Sequence, residues 1–202
     1  MATFPAIAAT SRAILGLLEA AAAADTEFNG TQFALYRGAD LGKPMASGVS
    51  LYLHRVVVNS QYRNHQPRID ELGRKWRPAV PLDLHYLLTA WAEDAVRQQR
   101  LLGWCIRVIQ DTQTLPSGLL NHFGPEHDVF GPTETVDVLL EPLSMQDMSY
   151  VWEGADARRE PSATYVARIL ELESLDVERV EPLVQTRDFG LDSQVPKPLV
   201  PA

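Results

Sequence analysis

Five histidines, His54, His65, His85, His122 and His127, are the residues of this chain whose type most readily does chemistry. Imidazoles bind metals and move protons, and His54 and His85 lie midway along two apolar runs that read as strands. Facing each other across a sheet, with Asp83 nearby, they would suit a small metal-dependent hydrolase. The spacing argues against it, because no HxH, HExxH or HxxxH pair is present. Half-buried imidazoles bonded to a neighbouring side chain account for both positions equally well. His122 and His127 bracket Gly-Pro-Glu beside Glu126 and Asp128, the composition of a solvated turn.

Cys105 is the single cysteine, on the apolar stripe of a predicted helix and far from the N-terminal end that would lower its pKa, so it reads as a core thiol and not a nucleophile. Its solitude excludes an internal disulfide and points to a reducing, cytosolic site of synthesis. There is no GxSxG, no phosphate loop and no GxGxxG after a strand. The acidic pairs Glu93/Asp94, Glu171/Glu173 and Asp176/Glu178 read as cap or solvent-face charges. No catalytic residue, cofactor or metal is therefore expected.

A different composition marks the passage from Arg55 to Arg77, which interleaves Tyr62 and Trp76 with five Arg and one Lys in a chain of net charge -8. Arginine and aromatic residues are enriched at protein interfaces. Its two readings are a contact surface and a solvated loop. With only 18 basic residues, spread along the chain, a surface that tracks nucleic-acid phosphates is not expected.

The surrounding pattern supplies the elements that must position these residues. From Leu82 to Ala90 every second residue is apolar, which predicts a central strand. At Glu93 the period changes. Leu101, Leu102, Cys105, Val108 and Ile109 form one helical stripe running to about Gln110, with Glu93 and Asp94 in the first turn where the macrodipole favours acids. Phe4 to Ala24 predicts another helix, with Thr3 as cap, Pro5 in the first turn and a stripe of Ile7, Ile14, Leu18 and Ala21. Arg12 inside that run and the lack of a basic leader argue against a signal sequence, and no run of 18 apolar residues reads as a membrane span.

Further strands are expected at 31–37, at 49–58 with Arg55 the one polar residue on the Val49, Leu51, Leu53 and Val57 face, at 134–141, and at 162–175. The last has two partly apolar faces and should be internal. Residues 38–48 and 112–133, rich in Gly and Pro, read as loops, the second a mobile insertion with one turn of helix at 117–123. Ser144 and Asp147 form a capping-box pattern opening a short helix through Trp152, which Gly154 would close. The order predicts the α+β class: a mixed, largely antiparallel sheet flanked by helices. Residues 1–180 form one domain, and 181–202, with prolines at 182, 196, 198 and 201, a flexible C-terminal arm.

Four blocks, LYLHRVVVNSQYRN (51–64), PLDLHYLLTAWAED with QQRLLG (81–103), LLEPLSMQDMSYVW (139–152) and PSATYVARILELES (161–174), resemble in order and spacing the cap, or tail-terminator, proteins of phage-tail-like contractile injection systems. The resemblance covers residues 5–178. It implies a non-enzymatic structural protein of tail-terminator-like fold that forms a hexameric ring on the distal end of the inner tube and sheath and stops their polymerisation. Its partners would be its own copies and the tube and sheath subunits, without nucleic acid or membrane insertion. It would be made and assembled in the cytoplasm, within a particle that can leave the cell. Arg55, Tyr62, Arg63, Asn64, Arg68, Trp76 and Arg77 are the residues expected at a subunit or tube contact. The alternatives are the hydrolase of His54, His85 and Asp83, and a monomeric adaptor.

Overall fold

The computed structural model describes residues 2–62, 69–70, 72–124, 126, 128–153 and 159–177. Arg63, Asn64, His65, Arg68, His127, Gly154 and the arm 181–202 lie outside them. Six strands form one sheet in the order β1 (Phe33–Tyr36), β2 (Gly48–Val58), β3 (Val80–Trp91), β6 (Ser162–Leu172), β5 (Thr135–Leu140), β4 (Thr114–Pro116). Among the six described strands only β1 runs parallel to its neighbour; the other strand pairings are antiparallel. The mixed, largely antiparallel sheet is thus as expected, with the 82–90 strand at its centre and β6 internal.

One face carries the main core. Leu82, Leu84, Tyr86, Leu88 and Ala90 of β3 pack with Ala163, Tyr165 and Ala167 of β6 under helices α1 (Ala6–Ala24) and α3 (Ala95–Asp111). In α3, Leu101, Cys105 and Ile109 repeat every four residues on the buried side. Asp94 caps the helix instead of lying in its first turn, its carboxylate accepting from the Arg97 amide at 2.8 Å. In α1 the cap position is Pro5, with no side-chain cap; Thr3 contributes only its carbonyl, which accepts from the Ala6 amide. By length and composition α1 could cross a bilayer, yet its Ala6, Ala9, Ala13, Ile14 and Leu18 are buried on the sheet and its Ser11 hydroxyl meets the Tyr86 hydroxyl at 2.9 Å. That is how a core helix is placed.

The Gly- and Pro-rich segment 112–133 differs from the expected mobile loop. It supplies β4 and, where one turn of helix is expected, helix α4 (Ser117–Phe123), which packs on α1; Leu115, Leu120, Val129 and Phe130 are buried. The approach is close: a Cβ on Gly16 of α1 would lie 2.3 Å from the Phe123 ring. Asn121 then ties the following turn back, donating to the Phe130 carbonyl and accepting from the Phe130 amide, each at 2.9 Å.

Among the described residues the opposite face is covered at one end only. There Leu87 and Trp91 of β3 pack with Leu41 of α2 (Gly38–Leu41), a short helix inside the expected 38–48 loop, and with Trp152 of α5 (Met145–Glu153). Ser144 and Asp147 make the expected cap of α5, the hydroxyl donating to the carboxylate at 2.7 Å and accepting from the Asp147 amide.

Candidate assembly surface

At the other end of the sheet, where β2 and β6 end and β3 begins, both neighbours of β3 carry an extra residue. In β2 the pairs Leu53↔Tyr86 and Arg55↔His85 leave His54 as a bulge. In β6 the pairs Ala167↔Leu84 and Leu170↔Leu82 leave one residue over, and Ile169 has φ 60°. Asp83, between the bulges, accepts from the Ile169 amide at 3.1 Å and from the Asn59 side-chain amide at 2.9 Å, fastening both strands to β3.

The β2 bulge reverses the alternation. Arg55, expected beside Leu53, lies on the opposite face with His85, and Val57 moves with it to face Asp83; Val56 and Val58 take the core-side phase opposite Leu84 and Leu82. Val56 and Val58 nonetheless remain 45% and 41% exposed, since none of the described helices covers this end, and Val80 is 45% exposed.

The basic passage lies here as well. Residues 69–70 and 72–76 are the arms of a small hairpin, with an Ile69↔Lys75 bridge, the Asp70 amide donating to the Arg74 carbonyl, and Gly73 at φ 76°. Asp70 holds it together: its carboxylate accepts from the Leu72 and Arg74 amides, from Arg74 Nε at 2.7 Å and from the Trp76 indole at 3.1 Å. Desolvation pushes the Asp70 pKa up, and these four hydrogen bonds outweigh it, holding the group at about 2. The Arg74 guanidinium sits 5.5 Å from the Trp76 ring centre, and a Trp76↔Val177 bridge ties the passage to the segment after β6. Ile69 and Leu72 project, 67% and 77% exposed.

Of the seven residues expected at a contact, the structure therefore brings Tyr62, Trp76 and Arg77 to the loops at this end of the sheet and Arg55 to an exposed place on β2, while Arg63, Asn64 and Arg68 lie outside the described residues. Sequence reasoning passed over Asp70, Ile69 and Leu72; the Asp-x-x-Gly spacing of 70–73 is the turn signal that points to them.

The arrangement offers little to a hydrolase. His54 and His85 are neighbours, with ring centres 6.2 Å apart, but His85 Nδ1 is engaged by Glu141 Oε2 at 2.5 Å and the Asp83 oxygens by the two amides. Among the described residues no group of three His, Cys, Asp or Glu is placed to hold a metal. Burial, with the neighbouring His85 and Arg55 charges, lowers the His54 pKa to about 4. Cys105 is fully buried, and burial pushes its thiol up to about 12, the state of an inert core cysteine.

A second feature of this end is a cavity of about 260 Å³ between the end of β6 and the start of β5. Phe130, Val136 and Leu170 line it, with Glu134, Asp137 and Glu171 around them and Arg168 as the one base.

The antiparallel-rich sheet with helices on one face and half of the other is a tail-terminator-like fold. It superposes on the sheath/tube terminator of an extracellular contractile injection system, PVC, in its extended state, with a TM-score of 0.56 at 14% identity over 87% of this chain and 62% of that one. The chain thus spans under two thirds of that terminator's length. The tube-terminating cap of the anti-feeding prophage gives a TM-score of 0.49 at 13% identity, covering 70% of this chain and 48% of that one. The model of the Pvc16 N-terminal domain family matches residues 9–186, and the chain belongs to that family. No curated protein matches it.

Proposed function

We propose that the protein caps a contractile injection particle, forming a ring, hexameric as the resemblance implies, on the distal end of the inner tube and sheath and ending their polymerisation. Membership of the Pvc16 N-terminal domain family over most of the chain carries this reading, and the terminator-like fold supports it. The role is structural and needs no catalysis, cofactor, nucleic acid or membrane insertion. Assembly takes place in the cytoplasm, on tube and sheath subunits of the same particle. Residues 1–180 act as the cap domain, and 181–202 as an arm that serves docking. The contact surface is the basic end of the sheet: Arg55, Tyr62, Trp76 and Arg77, with Arg63, Asn64 and Arg68.

The test is particle length by electron microscopy, with the other particle components co-expressed with and without this chain. Uniform, end-capped particles with the chain, and tubes and sheaths of uncontrolled length without it, are expected. Uniform particles in its absence would remove the cap role.

A further inference from the structure

We propose that the end of β6 is a register switch. In the first register it carries the bulge at Ile169; in the second it pairs without a bulge, Ile169 replaces Leu170 in the core, and Leu170 faces outward. Such a switch is a property of the isolated chain and stands whether or not the protein caps a particle.

Strain and an unfinished ladder meet at one level of the sheet. Ile169 is β-branched and has φ 60°, a left-handed backbone that such side chains rarely adopt. Asp83 holds the strained residue, its carboxylate accepting from the Ile169 amide at 3.1 Å. Beside it β5 and β6 come apart. Their pairing stops at Asp137↔Arg168, although β5 starts at Thr135 and β6 continues to Leu172, and the cavity of about 260 Å³ occupies the gap. Val138 donates its amide to the Gln113 carbonyl on the β4 side, so by alternation the Thr135 amide is directed towards β6, into the gap.

The sequence of β6 suits either register. With the bulge, Leu170 and Leu172 stand opposite Leu82 and Val80. Without it, the ladder set by Leu84↔Ala167 continues as Asp83↔Arg168, Leu82↔Ile169, Pro81↔Leu170 and Val80↔Glu171. Ile169 then offers the core a side chain of the same size as Leu170. Glu171 comes to the rim, where Val80 is already in contact with water, and Arg168 stands across from Asp83, with which it already lines one hollow. The β5 ladder extends to match, as Val136↔Ile169 and Thr135↔Leu170, and closes the gap with backbone hydrogen bonds. Against these gains, Leu170, now 1% exposed, must turn to a face that none of the described helices covers at this end. Strain relief and new hydrogen bonds oppose that exposure, which keeps the second register within reach. A surface that covers Leu170 on that face shifts the balance towards it.

Thiol labelling of the full chain tests this, with Cys105 as internal reference because it is as buried as Leu170. In Leu170→Cys, a maleimide should label position 170 at least about tenfold faster than Cys105 in native buffer. Adding Ile169→Gly, which accepts a positive φ without strain and cannot fill the core opposite Leu82, should slow that labelling about tenfold. The adduct is too large for the core and holds the second register, so exchange of the Thr135 amide should slow about tenfold in labelled protein. Equal labelling of positions 170 and 105 overturns the proposal. Faster labelling that leaves Thr135 exchange unchanged overturns it too, since that is fraying of a strand end. Ile169→Gly and Ile169→Ala in the otherwise unchanged chain give a measurement that does not depend on the cysteine variant. Gly, ordinarily the weaker residue in a strand, should melt higher than Ala here. A lower or equal melting temperature for Gly would show that Ile169 stores no strain, and the switch would lose its drive.

Discussion

The two ends of β3 are made for different tasks. From Leu87 to Trp91 the strand is sealed on both faces, and its polar groups are matched internally: the Trp91 indole donates to the Ser50 hydroxyl at 2.8 Å, and the Thr89 and Ser162 hydroxyls meet at 2.8 Å. From Val80 to His85 the core side is still packed, but the other face carries Asp83 and His85, both neighbouring strands bulge, and Val56, Val58 and Val80 remain in contact with water. One half of the strand uses its apolar surface for folding. The other fixes its shape with hydrogen bonds and keeps apolar surface available.

The sharpest way to break that division is Leu88→Ala against Val80→Ala. Leu88 is fully buried, and its truncation should cost about 2–5 kcal/mol in urea unfolding. Val80 should cost under ~1 kcal/mol, since much of its surface is already exposed. Equal costs would mean that the open end is as much a part of the core as the closed one.

Asp83→Ala comes next. It leaves the Ile169 amide and the Asn59 side chain without their acceptor, a loss of about 1–3 kcal/mol, and frees the β6 bulge to slip. Hydrogen exchange should then rise around Ile169 and stay low at Tyr86. Uniform protection across β3 would show that Asp83 does not clamp this end.

A smaller effect belongs to pH. His54 has its pKa lowered from 6.5 to about 4 in the folded protein, by burial first and then by the His85 and Arg55 charges. Between those values the unfolded chain binds more protons than the folded one, so the His54 contribution is intact above pH 6.5 and is lost as pH falls towards 4. In His54→Gln the slope of stability over that window should flatten. An unchanged slope would assign the acid sensitivity to other groups.

The closed half was the legible half. Strict alternation from Leu82 to Ala90 and the four-residue repeat of Leu101, Cys105 and Ile109 are local patterns with one interpretation each. The bulge at His54 was not readable, because Val56, Val57 and Val58 are apolar in either phase and the register is set by the partner strand. Helix α4 was legible as the turn of helix expected at 117–123, but Pro116, Gly118 and Gly124 look like loop punctuation around it, and only the close approach of Phe123 to Gly16 reveals why the segment packs on α1. The cavity could not be read at all, since residues between 130 and 171 meet only when β5 pairs with β6.

The last test isolates shape from stability at the open end. Asp70 receives four hydrogen bonds, yet all of them come from within its own hairpin, and none reaches β3 or a helix. Asp70→Ala should therefore leave the melting temperature of the protein almost unchanged, because the sheet and both cores lose no contact. The hairpin itself loses its brace: the Leu72 and Arg74 amides return to water, Arg74 leaves the Trp76 ring, and indole fluorescence should shift to the red. Asp70→Asn separates charge from bonding: an amide oxygen can still accept from the two backbone amides but no longer neutralises Arg74, so an intermediate red shift is expected. A large fall in melting temperature for Asp70→Ala would show that the hairpin is part of the folded core, and the contrast between the two ends of β3 would have to be redrawn.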